Sequence, residues 1–495
     1  MRKTTYILLF LVLGLTITSC KKYLDVAPEN ATDSPAVFET QEGVLFALNG
    51  LYAQVQRQGY YGMQLAVLGD AATDNGKIPS DRENAGANAD RMPYAYTLAL
   101  NPQVTALEMW RDVYILINNI NNIINNIDKA TDLLPGVRKQ VLGECLALRA
   151  LAHFDLVKVF AQDYNFTAGH DHPGVPYITG SIPSDKPVRN TVKEVFDKAY
   201  ADVNEAVALL ENNNSINRRI SDRRYFINYY SAVGVRAKMN FYTTNYPAAL
   251  ADANIIVAGP YSLPAYSLAT YSITGLNFSP ALITAWAGRE ILSTEAIFML
   301  DVSDNDGVFA DRSLIDIYTA YGGNAAHAIS LGFLGLYDNN DIRRNWYKVE
   351  INDPLVFKYP GGFGLAEDDH NFPIMRLSEF ILMKAECEVR VNTAEPAART
   401  LVNQIIRRAH QGSTAYDITS SGPALIEAII GERRKEMAFE SNRLFDLKRL
   451  QRGFTRTDCR LSTVCTVAYP DKIYAWPIPQ SEFNGNPNMV QNPGY

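Results

Sequence analysis

Between Val137 and Phe160 the apolar residues Val141, Cys145, Leu148, Ala152, Leu156 and Val159 return every three or four positions, while Arg138, Lys139, Glu144 and Lys158 fall mainly elsewhere. That is the period of an α-helix, and the stripe it draws must be buried against a second element. A second stripe precedes it: Ile117, Ile120, Ile123, Ile124 and Ile127, interrupted by Asn118, Asn119, Asn121, Asn122, Asn125 and Asn126. Asparagine is a poor helix former, so packing must hold that helix. Further helices are expected over 192–210, 223–242 and 246–257, and again over 373–392, 394–409 and 423–449. Small residues at Ala147, Ala150, Ala152, Ala232 and Ala237 let such helices cross closely, as in tetratricopeptide-like hairpins, although no strict 34-residue repeat recurs. The fold class expected is therefore mainly α.

Two stretches break this pattern. Residues 69–102 and 260–373 cluster Gly, Pro, Asn and Asp among aromatics, and long irregular segments in a folded chain tend to carry function. The body is expected to run over 20–495, with helical hairpins over about 38–260, a loop-rich part over about 261–372, and helices and a tail over about 373–495. In the last expected helix, Arg433 and Glu440 lie on or beside the stripe of Ile426, Ile430, Met437, Leu444 and Leu447. Charges so placed need buried partners.

Composition narrows the class. Hydrophobic residues make up 47% of the 495 positions and charged residues 20%, which excludes collagen-like and wholly disordered chains. With 46 Lys plus Arg against 53 Asp plus Glu and no sustained basic run, nucleic acid is not the expected partner. Arg2 and Lys3 precede an apolar run over 6–18, which reads as a secretory signal in residues 1–19. The run stops at Ile17-Thr18-Ser19-Cys20, which resembles a bacterial lipobox and makes Cys20 the expected site of acylation, palmitate being one such chain. No later stretch approaches 18 uninterrupted apolar residues, so a tethered rather than spanning protein is expected. Cys145 and Cys387 sit in helical patterns as small buried hydrophobes, whereas Cys459 and Cys465, six apart in a loop, suit a disulfide in an oxidising compartment.

Several segments together resemble the SusD/RagB family of nutrient-binding outer-membrane lipoproteins. They are Cys20-Lys21-Lys22-Tyr23-Leu24-Asp25 after the lipobox, Gly143-Glu144-Cys145-Leu146-Ala147-Leu148-Arg149-Ala150, and His153-Phe154-Asp155-Leu156 followed by Gly174-Val175-Pro176. Near the end come Arg376-Leu377-Ser378-Glu379, Glu432-Arg433-Arg434-Lys435-Glu436, Trp476-Pro477-Ile478-Pro479 and the stretch from Asn486 to Tyr495. Ala161-Gln162-Asp163-Tyr164 and an inserted His170-Asp171-His172 depart from the family pattern locally. The resemblance implies a SusD-like, mainly α fold with tetratricopeptide-like hairpins, held on the outer face of the outer membrane. It further implies capture of oligosaccharide, starch being one candidate, for delivery to a TonB-dependent transporter of the SusC type. In the RagB branch the cargo is peptide.

Motifs for other chemistry are missing from the sequence. There is no His-Glu-x-x-His, no phosphate-cradling loop ending in Lys-Ser/Thr, and no Gly-x-Ser-x-Gly elbow. His170-Asp171-His172 lacks an evident third ligand, and Asp301 to Gly307 fails the EF-hand register, so neither metal nor cofactor is expected. Sequence alone does not decide whether two carboxylates stand at a glycosidase spacing. The expectation of a non-enzyme rests on the resemblance, with a surface glycoside hydrolase and a non-nutrient scaffold as alternatives. Sugar capture calls for flat aromatic platforms beside amides, carboxylates and guanidinium groups. The residues expected to supply them are Asp70, Asn75, Arg82, Tyr94 and Tyr96 in the first irregular stretch, and Trp286, Tyr318, Tyr321 and Trp346 in the second. Trp110 and Trp476 are expected in the core.

Overall fold

The computed structural model describes residues 36–77, 103–181, 186–218, 220–270, 281–286, 294–302, 314, 318, 327–350, 353–359, 370–459 and 465–495. Cys20, Arg82, Tyr94, Tyr96 and Tyr321 lie outside the described residues. In chain order the main helices are α1 (Gln41–Val55), α2 (Gln64–Ala71), α3 (Gln103–Asn126), α4 (Pro135–Phe160), α5 (Val192–Leu210), α6 (Tyr229–Tyr242) and α7 (Tyr246–Val257). After a region of short hairpins come α8 (Leu377–Asn392), α9 (Glu395–Ala409), α10 (Gly422–Glu436) and α11 (Arg443–Arg449). The fold is mainly helical, and each described strand pairs with a single antiparallel partner.

Helix α4 is the central element, packed on α1, α3, α5 and α6. Its small residues permit this: Ala147, Ala150 and Ala152 are fully buried, and a Cβ on Gly143 would stand 2.6 Å from Leu210 Cγ. The asparagines of α3 are put to use. Asn121 donates to the carbonyls of Ile178 and Gly180, both at 3.0 Å, and accepts from Arg149 at 2.9 Å, which ties a loop onto the α3–α4 pair. Helix α5 starts where Thr191 and Glu194 form a capping box, and α6 where Asn228 and Ser231 do. That second cap explains why α6 begins at Tyr229 rather than Arg223; Ile220–Tyr225 is a 3-10 turn.

Two C-terminal boundaries differ from the sequence expectation for one electrostatic reason. Residues 373–376 belong to a strand, His370–Arg376, paired with Ala296–Val302. Helix α8 starts only at Leu377, where the Glu295 carbonyl accepts from the Leu377 amide at 3.0 Å and its carboxylate from the Ser378 amide at 3.2 Å. The helix expected over 423–449 is instead broken between α10 and α11, with Phe439 and Ser441 at φ 62°. Buried cations take the carbonyls exposed by the break: Arg376 donates to Glu436 O at 2.7 Å and Lys358 to Ala438 O at 2.9 Å.

Helix α2 crosses this break so closely that an ideal Cβ on Gly69 would lie 2.5 Å from the Ser441 carbonyl carbon. Backbone cannot step aside as a side-chain tip can. Gly69→Ala is therefore expected to cost about 1–3 kcal/mol, whereas Gly50→Ala, whose Cβ would meet nothing within 4 Å, should stabilise or leave stability unchanged. Urea midpoints of the two variants check this. The tail closes the other end of α4: Trp476 N donates to Val159 O at 2.8 Å and Asn492 to Phe160 O at 2.8 Å. Trp110 and Trp476 are both in the core, and a disulfide joins Cys459 to Cys465.

Candidate functional site

Five of the residues expected to meet ligand are in the interior. Asp70 accepts from Asn75 Nδ2 at 2.7 Å and from the Ser441 amide at 3.2 Å, while Asn75 Oδ1 accepts from Arg434 at 2.8 Å. Both residues are fully buried and clip α2 to the break between α10 and α11. Burial pushes the Asp70 carboxyl up to about 6, its hydrogen bonds to backbone and to Asn75 working against that rise. Tyr318 is also fully buried, stacked with Tyr359 at 6.3 Å and edge-on to Phe439 at 5.4 Å.

Trp286 and Trp346 are 3% and 1% exposed, 5.5 Å apart and T-shaped. The Lys358 ammonium sits 4.5 Å over one ring and 4.1 Å over the other, and the Arg376 guanidinium lies 5.3 Å over Trp286. The rings thus line a buried ion cluster rather than a sugar platform, which corrects the ligand-facing expectation for both tryptophans. The reason is that the cluster needs cations, and cations taken out of water are stabilised by aromatic faces. Arg376 bonds Glu295 at 2.8 Å, Glu436 at 2.7 Å and Glu440 at 2.7 Å, and Arg343 joins Asp341, Glu432 and Glu436 at 2.6–3.0 Å.

Arg343 and Trp346 occupy one side of a short 3-10 turn, Ile342–Trp346, capped by Asp341, whose carboxylate accepts from the Arg343 amide at 3.0 Å. Arg344 and Asn345 from that turn, with Lys348 from the following strand Tyr347–Glu350, line an open groove of about 670 Å³. The opposite wall is the exit of α9. Gln411 and Gly412 take φ values of 52° and 91°, and the Gly412 amide returns to Arg407 O at 2.7 Å, which closes the helix and turns the chain toward Tyr416. Leu268 forms part of the rim.

Two contacts lock the walls together. Asn340 Nδ2 donates to Tyr416 Oη at 2.5 Å, and His410 Nε2 stands 2.9 Å from Asp338 Oδ2. The His410 and Tyr416 rings stack at 3.9 Å and 15°. Amides of Asn339, Asn340, Asn345 and Gln411 add donors and acceptors along the same surface. Burial lowers the Lys348 ammonium from its ordinary value. A groove so built offers a multivalent polar rim and an aromatic edge, the two features a sugar chain needs. Sequence reading missed it because its two walls come from segments about 70 positions apart, with Leu268 from a third; the Asp338-Asn339-Asn340-Asp341 run and the turn after the α9 stripe were the visible signals.

Elsewhere, the His170-Asp171-His172 insertion is committed locally: His170 stacks on Tyr164 at 4.0 Å, and Asp171 accepts from Thr167 at 2.8 Å. Among the described residues no group of three or more His, Cys, Asp or Glu could hold a metal ion, and no helix is long and apolar enough to cross a membrane.

Comparison with known proteins agrees with this architecture. The sequence profile of the SusD family matches residues 334–495, and one described as "Starch-binding associating with outer membrane" matches residues 22–223. SusD-like protein P25 of Formosa agariphila is 23% identical, the alignment covering 99% of this chain and 98% of that relative; SusD-like protein P2 of the same organism is 22% identical over 99% of each. A solved structure described as a putative sugar binding protein from Bacteroides vulgatus superposes with a TM-score of 0.77 at 25% identity, covering 92% of this chain and 99% of its own. A SusD superfamily protein from Bacteroides thetaiotaomicron gives 0.78 at 24%, covering 92% and 100%. With profiles matching both ends, relatives aligned over nearly the whole length and the same fold between, the chain belongs to the SusD/RagB family.

Proposed function

We propose that this protein is a lipid-anchored receptor on the outer face of the outer membrane that captures oligosaccharide and delivers it, chemically intact, to a TonB-dependent transporter of the SusC type. The observation that carries the reading is the groove between Ile342–Glu350 and the α9 exit, open, polar and edged by a stacked aromatic pair, on a chain of this family. Carbohydrate as the cargo is further supported by the starch-binding description of the second profile. The lipobox at Cys20 supports the anchor. Modest affinity suffices, because tethering concentrates the receptor at the surface from which the transporter takes its cargo.

The anchor and the binding are separately testable. Full-length protein should partition with outer membranes, and Cys20→Ala should release it to the soluble fraction. Membrane retention of that variant would refute the anchor. In native affinity gels, immobilised glycan should retard the mature protein. If a broad peptide panel is bound and no glycan is, the cargo is peptide and the oligosaccharide reading fails.

A further inference from the structure

The groove carries an imbalance of charge. Asp341 is neutralised by Arg343, whose Nε and Nη2 reach its two oxygens at 2.9 and 2.7 Å. Asp338 is engaged by His410 and by the Asn340 amide at 2.8 Å. Among the described residues, the two cations on the lining, Arg344 and Lys348, meet only neutral groups. Arg344 donates to Tyr337 O at 3.3 Å and Asn339 Oδ1 at 3.2 Å, and Lys348 to Asn345 Oδ1 at 3.2 Å. Several exposed arginines elsewhere in this chain of net charge −7 do meet carboxylates, as Arg407 does in Asp417, Arg452 in Glu427 and Arg138 in Asp128. A guanidinium and an ammonium held over amides, with no carboxylate among the described residues to satisfy them, form a receptor for an external anion.

Resting on the capture reading above, we infer that the groove selects anionic oligosaccharides, chains bearing uronate carboxylates or sulfate esters. Arg344 takes the anionic group in a two-point contact, Lys348 adds a point charge, and the neighbouring amides bind the hydroxyls. The shared chemistry is a sugar ring with a fixed negative oxygen cluster; carboxylate and sulfate differ in geometry, and the experiment separates them.

Binding of oligogalacturonate, a sulfated carrageenan oligosaccharide and maltoheptaose to the mature protein would be measured by calorimetry at low and high salt. At least one acidic chain should bind more tightly than maltoheptaose, weaken as salt rises, and lose roughly tenfold in affinity in Arg344→Gln or Lys348→Gln. Which acidic chain binds identifies the group. Lys348→Arg should retain binding, and because Arg344 is on the surface its variant should keep the wild-type melting temperature. Tighter maltoheptaose binding, indifferent to both substitutions, would overturn the anion assignment while leaving capture standing. Failure to bind any glycan would overturn both.

Discussion

Arg376→Met is expected to destabilise the protein by about 3–5 kcal/mol, because it removes the one buried cation shared by three buried carboxylates. Arg376 has no solvent exposure; its guanidinium bonds Glu295, Glu436 and Glu440, and its Nη2 also caps the Glu436 carbonyl at 2.7 Å. Its neighbours compensate only in part: Arg408 reaches Glu295 at 2.8 Å and Glu436 at 2.7 Å, and Lys358 pairs with Glu440, but among the described residues Arg376 alone bonds all three. The control is Arg407→Gln, which removes a pair with Asp417 whose arginine is 46% exposed and should cost less than about 1 kcal/mol. Denaturant midpoints for both variants check the contrast. Equal effects would mean that the buried cluster is not what holds the α8–α10 region together.

Acid should unfold the protein in two stages. Burial by itself would raise the carboxyls of Glu295, Glu379, Glu386, Glu432, Glu436 and Asp446, yet the guanidinium and ammonium groups around them hold all six below the usual range. A depressed carboxylate contributes stability above its unfolded value, near 4, and that contribution is lost as pH falls further. The histidines act earlier. Burial lowers His153 to about 3, and its ring is locked neutral, Nδ1 donating to Arg149 O at 2.9 Å and Nε2 accepting from the Ile178 amide at 3.0 Å. Burial lowers His327 to about 3 as well. A base held neutral in the fold loses stabilising power below its unfolded value near 6.5, so each histidine should cost up to about 2 kcal/mol by pH 5. Asp70, pushed up to about 6, acts in the opposite sense and gains as pH falls from there, offsetting part of what the two histidines lose in the same window. From pH 7 downward the thermal midpoint should decline gently and then, below about pH 4.5, steeply. A midpoint unchanged between pH 7 and pH 4 would contradict this account.

The helices were legible and the site was not, for physical reasons. The stripe of α4 and the bounds of α5 and α7 follow from a period that burial imposes on sequence. Arg433 on an apolar stripe correctly announced a buried partner, found in Glu379 and Asp446. What period cannot reveal is competition. A run of helix-compatible residues over 423–449 breaks because Lys358 and Arg376, distant in sequence, claim its carbonyls. The tryptophans failed as markers for a related reason: aromatic residues in a Gly- and Pro-rich stretch suit a sugar platform, but the same rings serve a buried cation, and sequence does not say which is nearby. The groove itself depends on the pairing of Asn340 with Tyr416, a contact between segments with no shared motif.

Capture as proposed above means that the chain holds a glycan without cleaving it. The direct measurement is overnight incubation of purified mature protein with a panel of neutral and acidic oligosaccharides, followed by chromatography of the sugar and calorimetry of the mixture. Saturable binding with every chain length unchanged is the result expected; shortened products accumulating in proportion to protein concentration would contradict it.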